Sequence, residues 1–234
     1  MTQLWPGGPL YDGEGAFPVT TDSVLLADFA RVRSSDAVYE PCCGAGLISV
    51  LLHARAGSAR FFAVELDSAA AAAAERNFAA NGLAERVVCG DALDKAAQPP
   101  PESCTLAVCN PPYFAAGSGR AAPDETRARQ RSEAALDFAS LALSAARALR
   151  QGGRFAFVHR TERLASLFEA LRAARLEPKR LRLVQHRPDS APSLALCEAV
   201  KLAAPGLRAE PALILYDAGG AESAEFRRIY RMEV

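Results

Sequence analysis

The chain has 234 residues, 27 basic against 27 acidic side chains, and an apolar half. That length suits one α/β domain with a substantial core, and no apolar run approaches the roughly 18 to 20 residues of a membrane span. The start, Met1-Thr2-Gln3-Leu4-Trp5-Pro6, lacks the basic-then-apolar order of a secretion signal, and six cysteines without CxxC spacing read as reduced thiols, so a cytoplasmic protein is expected.

Residues 1–16 are rich in Pro and Gly and predict an irregular arm or small hairpin. Thr20, Thr21 or Asp22 can cap the helix that Val24 to Ala30 continues. Ala37 to Glu40 reads as a buried strand, Pro41 to Gly46 as a turn, and Leu47 to Ala56 as a helix closed by Gly57. Strand, small-residue turn and helix open a nucleotide-binding βαβ unit in which Gly44 and Gly46 let a ligand approach the backbone. The full G-x-G-x-x-G spacing is absent. Glu40, Cys42, Gly44 and Gly46 at alternate positions look instead like a loop for S-adenosylmethionine, which has no pyrophosphate to cradle.

Phe61 to Val64 forms a second strand ending in Glu65, where an acid suits the vicinal hydroxyls of a ribose, with Leu66 beside it. Ser68 is expected to cap an Ala-rich helix that stops at Asn81-Gly82. Arg86 to Cys89 is a third strand; Asp91, next to Ala92, can accept from an adenine amino group. Leu106 to Cys109 is a fourth strand, with Asn110 at its end. Three acids and an asparagine thus fall at successive carboxyl ends, the edge at which open α/β sheets bind ligands.

The stretch Asn110-Pro111-Pro112-Tyr113 carries the most chemistry. Two prolines stiffen the backbone and leave carbonyls without competing N–H groups. A planar –NH2 group can give one proton to the Asn110 amide oxygen and one to a carbonyl beside proline, which turns its lone pair into a nucleophile. Tyr113 offers a face for stacking. Phe114 to Arg131, with Arg120, Arg127, Arg129 and Arg131, is a basic loop able to order over a substrate.

Further on, Glu133 to Leu149 predicts a helix with Leu136, Leu141, Leu143 and Leu149 on or near its buried side and Gly152-Gly153 as its stop. Phe155 to Val158 is a fifth strand, and Glu162 to Arg175 an amphipathic helix. Leu181 to Val184 and Leu194 to Val200 pair antiparallel around Arg187 to Ser190; Leu213 to Tyr216 adds an edge strand and Ser223 to Arg231 a short helix. From Arg147 to Arg187 there are eleven Lys or Arg against three acids, a net of +8, whereas residues 1–100 carry seven against twelve, a net of −5. Such one-sidedness suggests a polyanion partner. His53, His159 and His186 lack the spacing of a metal pair, and no metal is expected.

Glu40 to Gly46, Glu65, Asp91 and Asn110 to Tyr113 resemble the class I S-adenosylmethionine-dependent methyltransferases that act on exocyclic amino groups. More closely, Thr21-Asp22 through Leu26-Ala27, Val108 to Phe114, Phe157 to Arg160, Glu177 to Arg182 and Phe226 to Tyr230 resemble the bacterial tRNA(Val) adenine-37 N6-methyltransferase family. The resemblance implies a Rossmann-like α/β fold whose seven-stranded, mostly parallel sheet has an antiparallel last strand and helices on both faces. It divides the chain into an arm and first helix (1–30) and a methyltransferase domain (31–234). It implies catalysis by Asn110, Pro111, Pro112 and Tyr113, and a cofactor held by Thr21, Glu40, Cys42, Gly44, Gly46, Glu65, Leu66, Asp91, Ala92 and Asn110. The substrate, an adenine in the anticodon arm of tRNA, would meet Tyr113, Phe114, Arg129, Arg131, Arg160, Lys179 and Arg180. The family's first loop glycine is Cys42 here and its usual Asp is Glu40; if position 42 needs φ > 0, the loop is expected to be displaced. Two other readings stay open: methylation of a glutamine amide in a protein, and an RNA-binding protein without catalysis.

Overall fold

Short continuous apolar runs build the sheet, buried on both faces, and the sheet places every strand end discussed below. The computed structural model describes residues 1–13, 18–85, 87–111 and 137–230. The strands are β1 (Thr2–Gln3), β2 (Leu10–Tyr11), β3 (Ala37–Pro41), β4 (Arg60–Glu65), β5 (Val87–Cys89), β6 (Cys104–Cys109), β7 (Leu149–Arg160), β8 (Leu176–Gln185), β9 (Leu194–Lys201), β10 (Arg208–Ala209) and β11 (Leu213–Ile214). The helices are α1 (Thr21–Phe29), α2 (Leu47–Ala56), α3 (Ser68–Ala80), α4 (Phe138–Ala148), α5 (Leu164–Ala173) and α6 (Ala224–Ile229).

Among the described residues, β1 and β2 form a hairpin, and the main sheet runs β10-β8-β9-β7-β6-β3-β4-β5 with β11 also on β8. Seven of these strands, β8 to β5 in that order, are the expected sheet. β9 is antiparallel to both β7 and β8, and the other pairings are parallel. Chain order reverses at β3, which pairs with β4 on one side and β6 on the other, so the carboxyl ends of β3 and β6 flank the switch point at which open α/β sheets bind ligands.

Successive side chains point to opposite faces of a strand. Val38, Leu106, Val108, Ala156 and Val158 therefore join one core with α1, α2, α3 and α6. Tyr39, Ala107, Cys109, Phe155 and Phe157 join a second core with α4 and α5. Gly46, at φ 77°, leaves no room for a Cβ, which would stand 2.7 Å from the Phe78 ring; this is where α2 and α3 close together.

Local details depart from the sequence reading. Asp67, not Ser68, caps α3, because its carboxylate accepts from the Ala70 N–H at 2.9 Å. Thr20 caps α1 by accepting from Ser23 N–H. α4 ends at Ala148 and passes straight into β7, so Gly152-Gly153 lies inside a strand whose register shifts between Cys104 and Leu106 of β6. Leu143, expected on or near the buried side, is 59% exposed, while Leu141 and Leu149 are buried. Leu136 and residues 133–136 lie outside the described residues.

Candidate active site

The carboxyl edge of the sheet gathers Glu40, Glu65, Asp91 and Asn110. Glu40 is buried, and its Oε2 accepts from Ser49 N–H at 3.0 Å and from the Ser49 hydroxyl. Strand end and first turn of α2 are thereby tied together. Burial pushes the Glu40 carboxyl up to about 8; the Ser49 bonds work against this and the charge of Glu65 adds to it.

Between them runs the loop Cys42 to Gly46. Cys42 does adopt φ 57°, the left-handed conformation that favours glycine, as do Gly44 and Gly46 at 55° and 77°. Position 42 thus meets the condition, φ > 0, on which displacement of the loop is expected. The loop is held through Cys43 N–H to Val64 carbonyl (3.0 Å) and Gly44 N–H to Glu65 Oε2 (2.8 Å), and Cys42 carries roughly 1 to 2 kcal/mol of backbone strain. The Cys109 thiol, beneath the loop, donates to the Pro41 carbonyl at 3.2 Å and meets Cys42; burial holds it well above the usual thiol range.

Glu65 is a clamp as well as a strand end. Its Oε2 holds Gly44 and its Oε1 accepts from Asp67 N–H at 2.9 Å, which leaves further lone pairs on each oxygen. Leu66 stands 52% exposed beside it, and Gly44 has open space where a Cβ would project. Asp91 is exposed and accepts from Leu93 N–H. Ala92 is buried, its carbonyl fixed by Gln98 Nε2 and Ser144 Oγ, both at 2.8 Å.

Asn110 follows β6 and donates through Nδ2 to Ser23 Oγ at 3.0 Å; Pro111 beside it is buried. Thr21 accepts from the Tyr230 hydroxyl at 3.1 Å, which fastens the start of α1 to the end of α6. On the adjacent strand end His159 is buried, accepts from Arg160 N–H at 2.8 Å and abuts the Phe138 ring edge. Burial lowers this imidazole to about 4, so it is neutral near pH 7. The N-terminal arm joins the same edge. Asn77 on α3 binds both Asp12 and the Ala45 carbonyl of the loop, and Tyr11 is buried near Glu40 and Cys43.

The expected substrate residues separate. Pro112, Tyr113, Phe114, Arg120, Arg127, Arg129 and Arg131 lie outside the described residues. Arg160 is exposed at the carboxyl end of β7. Lys179 and Arg180 do not come to this edge. Lys179 donates to the Ala204 carbonyl in the loop leaving β9 at the opposite edge. Arg180 is 9% exposed, packs over the Phe29 ring at 4.2 Å and pairs with Glu198 and Glu210 at 3.2 and 3.0 Å. Much of the basic run is spent the same way: Arg147 on Gln98 and Pro99, Arg154 on Asp36, Arg172 on Glu177, Arg182 on Glu225. Arg163 and Arg187, counted in the basic run but not among the expected substrate residues, are exposed after the carboxyl ends of β7 and β8, on the Asn110 side. Ser23 was also missed, because nothing local marks a contact 87 residues away.

Residues 19–174 match the family described as the methyltransferase small domain. A tRNA1(Val) (adenine(37)-N6)-methyltransferase of Porphyromonas gingivalis W83 is 32% identical over 225 residues, covering 92% of this chain and 87% of that protein. A protein of the same name from Musicola paradisiaca is 38% identical over 145 residues, 61% of this chain and 58% of the relative, so this alignment spans less than two thirds of that relative. Among solved structures, a predicted O-methyltransferase from Agrobacterium tumefaciens superposes with a TM-score of 0.72 at 21% identity, covering 90% of this chain and 96% of that one. At such identity the likeness is one of fold: a class I methyltransferase sheet with helices on both faces.

Proposed function

The chain belongs to the methyltransferase small domain family and, within it, to the tRNA1(Val) (adenine(37)-N6)-methyltransferases; on that premise we propose that it methylates N6 of adenine 37 in that tRNA. The observation that carries the reading to residues is the place of Asn110, at the carboxyl end of β6 beside the loop that follows β3.

S-adenosylmethionine, when bound, supplies a methyl group activated on a sulfonium. The residues present fit it. Gly44 leaves space for close approach, Glu65 retains acceptor capacity for ribose hydroxyls, Leu66 offers an exposed apolar face, and Asp91 an exposed acceptor. Glu40, Cys42, Gly46 and Ala92 shape the loop and walls around these groups, and Thr21 anchors the helix that borders them.

The chain's own work is positional. Asn110 Oδ1 accepts one N6 proton and the Pro111 carbonyl the other, so the nitrogen lone pair leaves the ring's conjugation and faces the donor. No side chain need remove a proton before attack, since the methylated amine sheds it afterwards. Orientation and exclusion of water then carry the rate. Tyr113 or Phe114 would stack on the base, worth about 1 to 3 kcal/mol. Adenine must be turned out of its stack at a cost of a few kcal/mol, least in an anticodon arm. Arg160, Arg163 and Arg187 on the same edge favour the phosphate backbone, with Arg129 and Arg131 added from the loop. A tRNA substrate places this work in the cytoplasm.

The test is incubation with methyl-labelled cofactor and either unmodified tRNA1(Val) or a protein extract, followed by nucleoside and amino-acid analysis. N6-methyladenosine at position 37 is expected. Label confined to protein glutamine would replace the reading, and label in neither would leave an RNA-binding protein without catalysis.

A further inference from the structure

We propose that Ser23 is a positioning residue for the methyl transfer, holding the Asn110 amide with its oxygen turned toward the substrate; this rests on the role of Asn110 given above. An asparagine amide has two chemically opposite ends, an acceptor oxygen and a donor –NH2. Its terminal torsion is broad and roughly two-fold, so the side chain alone does not choose between them. The choice decides the reaction. An exocyclic amine brings donors, and only Oδ1 can receive one; with Nδ2 presented, donor would face donor.

The structure shows one of the two arrangements, held from outside the strand. Asn110 Nδ2 donates to Ser23 Oγ at 3.0 Å, so the donor end of the amide is the end that α1 holds. Ser23 is itself held. Its hydroxyl accepts from Thr20 Oγ1 at 2.9 Å, and its N–H donates to the same Thr20 oxygen at 3.4 Å. It is only 9% exposed, so water competes little for the bond. The helix that carries it is braced by the C-terminal helix, at its start through Tyr230 to Thr21 at 3.1 Å and at its end through Arg228 to Asp28 at 3.3 Å. A motif far from the chemistry in sequence thereby reaches it through one serine.

The experiment compares Ser23→Ala and Ser23→Thr with the parent and with Asn110→Ala, measuring kcat and KM on unmodified tRNA1(Val), the affinity for S-adenosylhomocysteine and Tm. Ser23→Ala is expected to lower kcat about ten- to a hundredfold, the scale of a small misplacement of a reacting group, with KM and S-adenosylhomocysteine affinity held. Ser23→Thr, which keeps the hydroxyl, is expected to restore most of the turnover. Full turnover in Ser23→Ala beside an inactive Asn110→Ala overturns the inference and spares the reading beneath it. Parallel loss of ligand affinity and Tm in Ser23→Ala, unrescued by threonine, also overturns it, since that marks a helix start and nothing more. Turnover surviving in Asn110→Ala removes the underlying reading itself.

Discussion

The amide of Asn110 and the hydroxyl of Ser23 meet at 3.0 Å across 87 residues of chain. This bond joins the end of a central strand to the first turn of the helix that precedes the sheet. A strand-end residue on rigid secondary structure, braced from a second element, is how a positioning site is kept to a small tolerance.

Two of the three left-handed loop positions, Cys42 and Gly46, are expected to respond in opposite directions to exchange. Cys42→Gly removes backbone strain of roughly 1 to 2 kcal/mol, partly offset by the entropy glycine adds to the unfolded chain. Gly46→Ala adds strain at φ 77° and drives a methyl to 2.7 Å from Phe78, whose ring is 1% exposed and has nowhere to go. Thermal unfolding should show Tm raised by a few degrees for the first and lowered for the second, with weaker S-adenosylhomocysteine binding in the second. A lowered Tm for Cys42→Gly would mean that the thiol's packing against Cys109 outweighs the strain.

Glu40 sets a pH dependence. Burial raises its carboxyl to about 8, above the usual carboxylate value near 4.5. A folded value above the unfolded one means that the fold holds the extra proton, so this contribution is complete below about pH 4.5 and declines as pH rises through about 8. Glu40→Gln keeps an acceptor for Ser49 and removes the titration. Tm measured from about pH 5 to about pH 9 should fall more steeply in the parent than in Glu40→Gln; parallel slopes would show that Glu40 does not titrate in this window.

Charge reversal should divide the arginines by edge. Arg163→Glu with Arg187→Glu acts on the Asn110 side and is expected to raise KM for tRNA by about tenfold at moderate salt. The slope of log affinity on log salt should shrink by roughly one for each phosphate that is no longer neutralised. Arg150→Glu with Arg175→Glu, at the strands' opposite ends, should change little. Filter binding across a salt series checks both; equal effects would deny the substrate a preferred edge.

Much of this architecture was legible locally. Short apolar runs marked β3, β4, β6 and the core of β7, and helical spacing marked α2 with both ends correct, because those segments are dictated by burial on one face or two. The strand-end acids and Asn110 could be picked out for the same reason, since a polar residue closing an apolar run is conspicuous. What escaped depends on pairing across the chain. Gly152-Gly153 reads as a helix stop until β6 pairs across it with a register shift. Leu143 fits an apolar stripe until the helix is set against one face only. Arg180 counts as a surface charge until β9 places Glu198 beside it, and Ser23 is an ordinary cap residue until β6 ends against it.

The most direct measurement is a single-turnover methyl transfer to unmodified tRNA1(Val) by Asn110→Ala, with cofactor saturating and S-adenosylhomocysteine binding measured alongside. The expected result is ligand affinity within about threefold of the parent and a transfer rate lower by at least about a thousandfold, the scale of losing a group that acts in the transition state. A transfer rate close to the parent's would contradict the assignment of the chemistry to this amide.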